Sequence, residues 1–511
     1  MAEQVVSTEQ IAEQFESTEQ MAEQAVSTEQ MAEQFESTEQ MVEQGVSTIV
    51  INNQKDIKIA WKYPSDIFQR LLALFFMFLI GFGSYFCFDI PSALQENLIQ
   101  DLNLSTTQFL YLNSWYSWLN VIMCTIGGLL IDSVSRTHIS TIKCAVLVAL
   151  GQIIFAFGAF VNIFWVMLLG RFIFRIGGEW LAIAQNNYAV LWFKGKELNM
   201  VFGFQLSFAR FGSTVNFIVM KPLYGYVKNR ISYHCPNYES LSIVLLLASL
   251  TCVLSLLSAL LLAWQDKRAE KLLHFRVLDA TEVVQIKDTK NLPKIFWLVM
   301  LIIVCYYSTI FPLVVLGEVF FERKYNFSLD EAKFTTRIVY TISALCAPFF
   351  GLVIDKTGRN LFWVFLSIFG TLVSHMVLTF TFVNPYIAMF IMGLSYSILA
   401  SALWSLIALI IPEHQMGTAY GITQSAKNFG LAVVALMTGI IVETNDYYMM
   451  GLCFCLLISV SLLLTAILCS LDFKNNGILN MSINQILLKS KKTPPPEKQT
   501  LLQDNDKCKE D

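Results

Sequence analysis

The sequence predicts an all-α membrane protein of twelve transmembrane helices in two pseudo-symmetric six-helix bundles. Three observations predict it. Runs of about twenty apolar residues recur from Arg70 onward, the length a helix needs to cross ~30 Å of hydrocarbon with its backbone groups satisfied internally. A polar stretch from Gln265 to Lys294 divides these runs six and six. Gly128 and Gly351, Asp132 and Asp355, and Arg136 and Arg359 recur at one offset of 223 residues, the mark of a duplicated unit.

Composition agrees. Of 511 residues, 55% are hydrophobic and 14% charged, and a mean hydropathy of +0.55 is too apolar for a soluble protein of this size. No nucleophile constellation, metal-ligand spacing or phosphate loop is readable, so neither an enzyme nor a cofactor is expected. Eleven Cys fall almost entirely in apolar runs and form no disulfide framework or CxxC site.

Residues 1–62 read as an acidic, low-complexity cytosolic tail built on a ten-residue repeat. Ten residues do not fit a helical period, so the apolar positions drift round any helix and no core-facing stripe forms. A basic region followed by an apolar core and cleavage site is missing, so no signal peptide is read there. The N-terminal bundle, 63–264, holds spans at 70–90, 110–132, 140–161, 164–191, 199–224 and 241–264. Residues 265–294 are a cytosolic linker. The C-terminal bundle, 295–471, holds spans at 295–317, 334–354, 360–383, 386–411, 417–442 and 447–471, and residues 472–511 form a second cytosolic tail. Lys and Arg outside the spans concentrate on the side shared by both tails, which places both termini in the cytosol. Two sequons, Asn103-Leu104-Ser105 and Asn326-Phe327-Ser328, then lie on the far side.

Charges within the spans carry the functional signal. Arg171, Arg175 and Glu179 follow one another at i, i+4 and i+8 on the fourth span, and Arg210 lies halfway along the fifth. Each costs roughly 2.5–3.5 kcal/mol at mid-bilayer on insertion scales, so they must face one another, a watery cavity or a ligand. FGFQLSFARFG and YGITQSAKNFG, on spans five and eleven, align at an offset of 218, setting Arg210 opposite Asn428 and one residue from Lys427. One reading makes Glu179 and Arg210 a structural interhelical bridge, or has Arg175 satisfy Glu179 within its own helix. The other makes Glu179, Arg210 and Lys427 substrate-binding, because a ligand bearing both an amine and a carboxylate can replace each partner with its own charge. Tyr306, Tyr307, Ser308, Arg337, Tyr340, Tyr396, Trp404 and Gln424 are further cavity candidates, whereas His375 is expected to pack peripherally.

The duplicated loops, GGLLIDSVSR and FGLVIDKTGR, resemble the signature loop of the major facilitator superfamily. That resemblance implies a conformational latch in which Asp132, Arg136, Asp355 and Arg359 bridge helix ends in the outward-open state. GFGSYFCFDIPSAL (81–94), GRFIFRIGGEWLAIAQNNYAVLWFKGKELN (170–199) and FGFQLSFARFGSTVN (202–216) are similar to the lysosomal dipeptide transporters of that superfamily, over roughly residues 63–473. The similarity implies uniport of dipeptides, favouring cationic ones, from lysosome to cytosol, with Glu179 taking the amino terminus and Arg210 the carboxylate. It also implies an accessory subunit, the glycosylated lysosomal membrane protein. Arg175 and Trp180 stand where the family pattern has smaller residues, and the repeat tail has no counterpart, which suggests a diverged paralogue. Independently, Glu497, Leu501 and Leu502 fit an acidic dileucine sorting signal of the kind clathrin adaptors read. Rival readings are a proton-coupled transporter of a sugar or organic anion, and a non-transporting membrane scaffold.

Overall fold

Lipid offers backbone groups no partner, and among the described residues the apolar runs fold into twelve long helices. The structure is a computed structural model that describes residues 67–105, 108–109, 111–112, 117–133, 137–194, 197–231, 237–272, 292–443, 447–474, 477 and 479–482. In the N-terminal half, α1 (Ile67–Phe88) is followed by the short α2 (Ile90–Ala93) and α3 (Gln95–Asp101). After these come α4 (Ser117–Ser133), α5 (Thr137–Phe160), α6 (Phe164–Phe193), α7 (Leu198–Ile231) and α8 (Asn237–Leu272). The C-terminal half holds α9 (Lys294–Tyr325), α10 (Leu329–Thr357), α11 (Asn360–Phe380), α12 (Pro385–Ile410), α13 (Met416–Glu443) and α14 (Tyr447–Lys474). Each expected span finds its helix. The helices overrun the apolar runs where the chain enters the polar interface, so α8 takes in residues 265–272, read from the sequence as linker. Nine of the described helices are long and apolar enough to cross a membrane, and the charge-bearing α6 and α7 run to 30 and 34 residues.

Outward faces expose large apolar side chains, among them Phe157 on α5, Leu250 on α8, Leu366 on α11 and Leu463 on α14. Exposed apolar surface distributed over the outer helices is what a lipid-facing protein requires. Inside the bundles, hydroxyl residues line the helix contacts and bond back to their own carbonyls, as Thr371 does to Ser367 and Ser401 to Ser397.

The duplication in sequence is a two-fold relation in space. Gly203 on α7 crosses α10 so closely that a Cβ would stand 2.3 Å from the Ala347 carbonyl oxygen, and Gly421 on α13 crosses α4 with a Cβ 2.6 Å from that of Cys124. Cys124 and Ala347 are themselves related by the 223-residue offset. The sequons obey the same rule. Asn103 and Asn326 are both left-handed, with φ of 52° and 55°, and Ser105 and Ser328 each cap the next turn, exchanging hydrogen bonds with Gln108 and Glu331. Both tripeptides are thus one duplicated turn, a structural use of the residues that the sequon pattern does not convey.

Residues 479–482 return to the α10–α11 turn, where Arg359 N–H donates to the Met481 carbonyl at 3.1 Å and Gly358 bridges to Ser482. The acidic repeat tail, Arg136 and the dileucine residues Glu497, Leu501 and Leu502 lie outside the described residues.

Candidate functional site

Two places join the bundles: a charged cluster along α6 and α7, and the ends of α4 and α10 that carry the duplicated loops. At the cluster, Arg171 is fully buried and donates from its two terminal nitrogens to the Cys87 and Phe88 carbonyls at 3.1 and 2.9 Å. These are the last carbonyls of α1, which have no partner within the helix because the chain breaks at Asp89 before Pro91. Arg175 stands over the Phe88 ring, 3.5 Å from its centroid. The first two charges of the i, i+4, i+8 series therefore seat the end of α1. Trp180, which stands where the family pattern has a smaller residue, turns to α4, donating its indole N–H to the Met123 carbonyl at 2.7 Å and lying against Gly127.

Glu179 and Arg210 do not form an ion pair among the described residues; each is engaged by the opposite bundle. Glu179 Oε2 accepts from the Gln424 amide of α13 at 2.8 Å, with the Cys124 thiol 3.8 Å away. Arg210 stacks on Tyr340 of α10, 3.8 Å from the ring centroid, and lies within electrostatic reach of Tyr396. Its Nε–H is buried without a hydrogen-bond partner among the described residues. Lys427 faces an aromatic corner, 5.6 Å from the Tyr307 centroid and 5.8 Å from that of Trp404, whose indole N–H donates to the Tyr307 hydroxyl at 2.8 Å. Glu179 and Arg210 both act electrostatically on Lys427. The three candidates thus share one region, and Tyr307, Tyr340, Tyr396, Trp404 and Gln424 join them. Tyr306 turns away to Thr371, Arg337 is exposed, and His375 is buried beside Phe454.

Two residues of this region were missed by the sequence reading. Tyr85 on α1 lies within electrostatic reach of Glu179, Arg210 and Arg175. Asp89 lies within electrostatic reach of Arg210, Arg175 and Arg171. An aspartate ending an apolar run just before a proline was the signal available for the second.

At the loop ends, Asp132 accepts the backbone N–H groups of Gly417 and Thr418, at 2.9 and 2.5 Å. Asp355 accepts those of Asn199 and Met200, at 3.1 and 2.8 Å. Each carboxylate thereby caps the first turn of a helix in the other bundle, satisfying N–H groups that the helix itself leaves open and placing negative charge at the positive end of its dipole. Among the described residues both aspartates accept main-chain N–H groups, and Arg359 is exposed and engages the chain through its backbone; Arg136 lies outside the described residues. Thr125 with Ser425 at 2.8 Å and Ser207 with the Ala344 carbonyl at 2.5 Å continue the seam. All these cross-bundle contacts lie between the loop ends and the level of Glu179 and Arg210.

Comparison with known proteins agrees with this architecture. The Major Facilitator Superfamily profile matches residues 73–435. The chain belongs to the major facilitator superfamily. Within that superfamily it is 48% identical over 422 residues to the lysosomal dipeptide transporter MFSD1 of Mus musculus, spanning 83% of this chain and 90% of the relative. The Danio rerio protein of the same name is 48% identical over 419 residues, with 82% and 90% covered. Among superfamily structures, FucP in the outward conformation aligns with a TM-score of 0.62 at 14% identity, over 78% of this chain and 99% of that one. The proton:xylose symporter XylE aligns at 0.58 and 16% identity, over 78% and 94%. These two show a shared fold.

Proposed function

We propose that the protein is a multi-pass transporter of the lysosomal membrane, with both termini cytosolic, that exports dipeptides to the cytosol by alternating-access uniport. The observation that carries this reading is the division of the charged pair. Glu179 and Arg210 sit on one bundle, yet each is held by neutral groups of the other, so neither charge is spent on its partner. A dipeptide can place its ammonium on Glu179 and its carboxylate on Arg210, including the buried Nε–H that has no partner among the described residues, and each desolvated charge gains an opposite one. Lys427 adds a second cation on the carboxylate side, and Asp89 is the acid available to a cationic side chain. The relatives named as lysosomal dipeptide transporters support the same substrate class.

The geometry at the loop ends supports a conformational latch. Asp132 and Asp355 close the cytosolic side, leaving the site facing the lumen, and opening that side strips both carboxylates of their helix ends. Ligand contacts to both bundles then supply what the seam loses, which is how bound substrate favours the change of state. An accessory glycosylated subunit and adaptor recognition of Glu497, Leu501 and Leu502 belong to the same lysosomal reading. Uptake of a labelled dipeptide into proteoliposomes tests the function. Saturable uptake without an imposed proton gradient, competed best by cationic dipeptides and not by free sugars, is expected. Uptake driven only by a proton gradient, or competed only by sugars or organic anions, would replace this reading.

A further inference from the structure

The two halves of the latch are unequal. The 218-residue offset that equates Gly203 with Gly421 also equates Asn199 with Gly417. On the α13 side, the hydrogen bonds to Asp132 among the described residues come from backbone N–H groups, and Gly417 has no side chain to add to them; a Cβ there would lie 2.5 Å from Asp132 Oδ1. On the α7 side, Asp355 receives the same two kinds of backbone N–H and, in addition, the Asn199 carboxamide at 2.7 Å. The carboxamide oxygen of Asn199 accepts from the Ser405 hydroxyl of α12, and the Asn360 amide of α11 donates to Ser405 Oγ at 3.3 Å. Asn199, Ser405 and Asn360 are 6%, 1% and 6% exposed, so this network is dry while the gate is shut. One side chain of the N-terminal bundle is therefore tied to α10 and α12, and through Ser405 to α11, by bonds that its pseudo-symmetric counterpart cannot make.

We propose that Asn199 is a positioning residue that makes the Asp355 half the stronger half of the cytosolic gate and so sets the balance between lumen-open and cytosol-open states. The proposal rests on the alternating-access reading. A hydrogen bond to a carboxylate in a dry site is about twice as strong as a neutral one. Losing it is expected to raise the cytosol-open to lumen-open ratio about tenfold.

The test is the distance distribution between two spin labels on the cytosolic ends of α4 and α13, or of α7 and α10, in the full-length protein in nanodiscs. Asn199→Ala should enlarge the cytosol-open population at either label pair. Its effect should add in full to that of Asp132→Asn and hardly at all to that of Asp355→Asn. Ser405→Ala should move the balance the same way by less, and reports on the network if Asn199→Ala fails to fold. If Asp355→Asn shifts the distribution while Asn199→Ala and Ser405→Ala leave it unchanged, the proposal is overturned and the gate is symmetric. If neither aspartate variant shifts it, the alternating-access reading falls as well.

Discussion

Replacing Gly128 by alanine tests whether the tight helix crossing belongs to one state of the carrier. A Cβ there would stand 2.3 Å from the Gly417 carbonyl oxygen, 2.9 Å from Gly421 Cα and 3.1 Å from the Gly417 carbonyl carbon, all backbone atoms that no rotamer change can move. Ordinary contact needs about 1 Å more, so α4 and α13 must part, and overpacking of this kind costs typically ~1–3 kcal/mol. In the proposed cycle the crossing exists only while the loop ends are together, which puts the cost on the lumen-open state. That corresponds to a shift of roughly 5- to 150-fold toward the cytosol-open state. Gly351→Ala, whose Cβ would meet Asn199 O and Met200 Cα at 2.6 Å, is expected to do the same. Gly439→Ala, with no heavy atom within 4 Å of its added Cβ, is the matched control. Cytosolic accessibility of a single engineered cysteine in the site, read by a membrane-impermeant maleimide, measures the shift. The reasoning fails if Gly128→Ala lowers the melting temperature while leaving accessibility at the control value, because the crossing would then be common to both states.

Two further substitutions separate scaffold from site. Trp180→Phe removes the indole bond to Met123 and should cost about 1 kcal/mol of stability with dipeptide affinity unchanged, as read by thermal unfolding with and without ligand. A loss of affinity with stability unchanged would place Trp180 in the site. Arg171→Leu leaves the Cys87 and Phe88 carbonyls of α1 without this donor in a dry environment, a loss of ~1–3 kcal/mol for each, so little monodisperse protein is expected in fluorescence-detected size exclusion. A well-folded Arg171→Leu protein would contradict the assigned role.

Much of this architecture was legible before any coordinates, for a physical reason. Bilayer thickness fixes the length of each apolar run, and duplication repeats the same residues at fixed offsets, so the spans and the two-fold repeat could be read by counting, while the helix crossings at the repeated glycines emerged only in the structure. The cost of a charge in lipid likewise singled out Glu179 and Arg210. What could not be counted was which neighbour each charge would meet. Periodicity along α6 placed Arg171, Arg175 and Glu179 on one face, but the carbonyls of α1 take the first of these, the Phe88 ring takes the second, and the third reaches α13. The two loop aspartates were marked by pattern, while the N–H groups they accept were not, because backbone groups at a helix end carry no residue signature. Asn199 was missed for a related reason: a polar residue at a helix start reads as ordinary interface until its counterpart, Gly417, is set beside it.

The central claim is that Glu179 holds the amino end of a dipeptide and Arg210 its carboxylate. Calorimetric titration of a free dipeptide, its N-acetyl form and its C-amide form into the parent, Glu179→Gln and Arg210→Ala proteins tests it most directly. Glu179→Gln keeps a neutral acceptor for Gln424 and should weaken the free and amidated forms ~5- to 30-fold while barely changing the acetylated one. Arg210→Ala should weaken the free and acetylated forms and spare the amide. Equal losses for all three ligands in both variants, or no loss in either, would contradict the assignment.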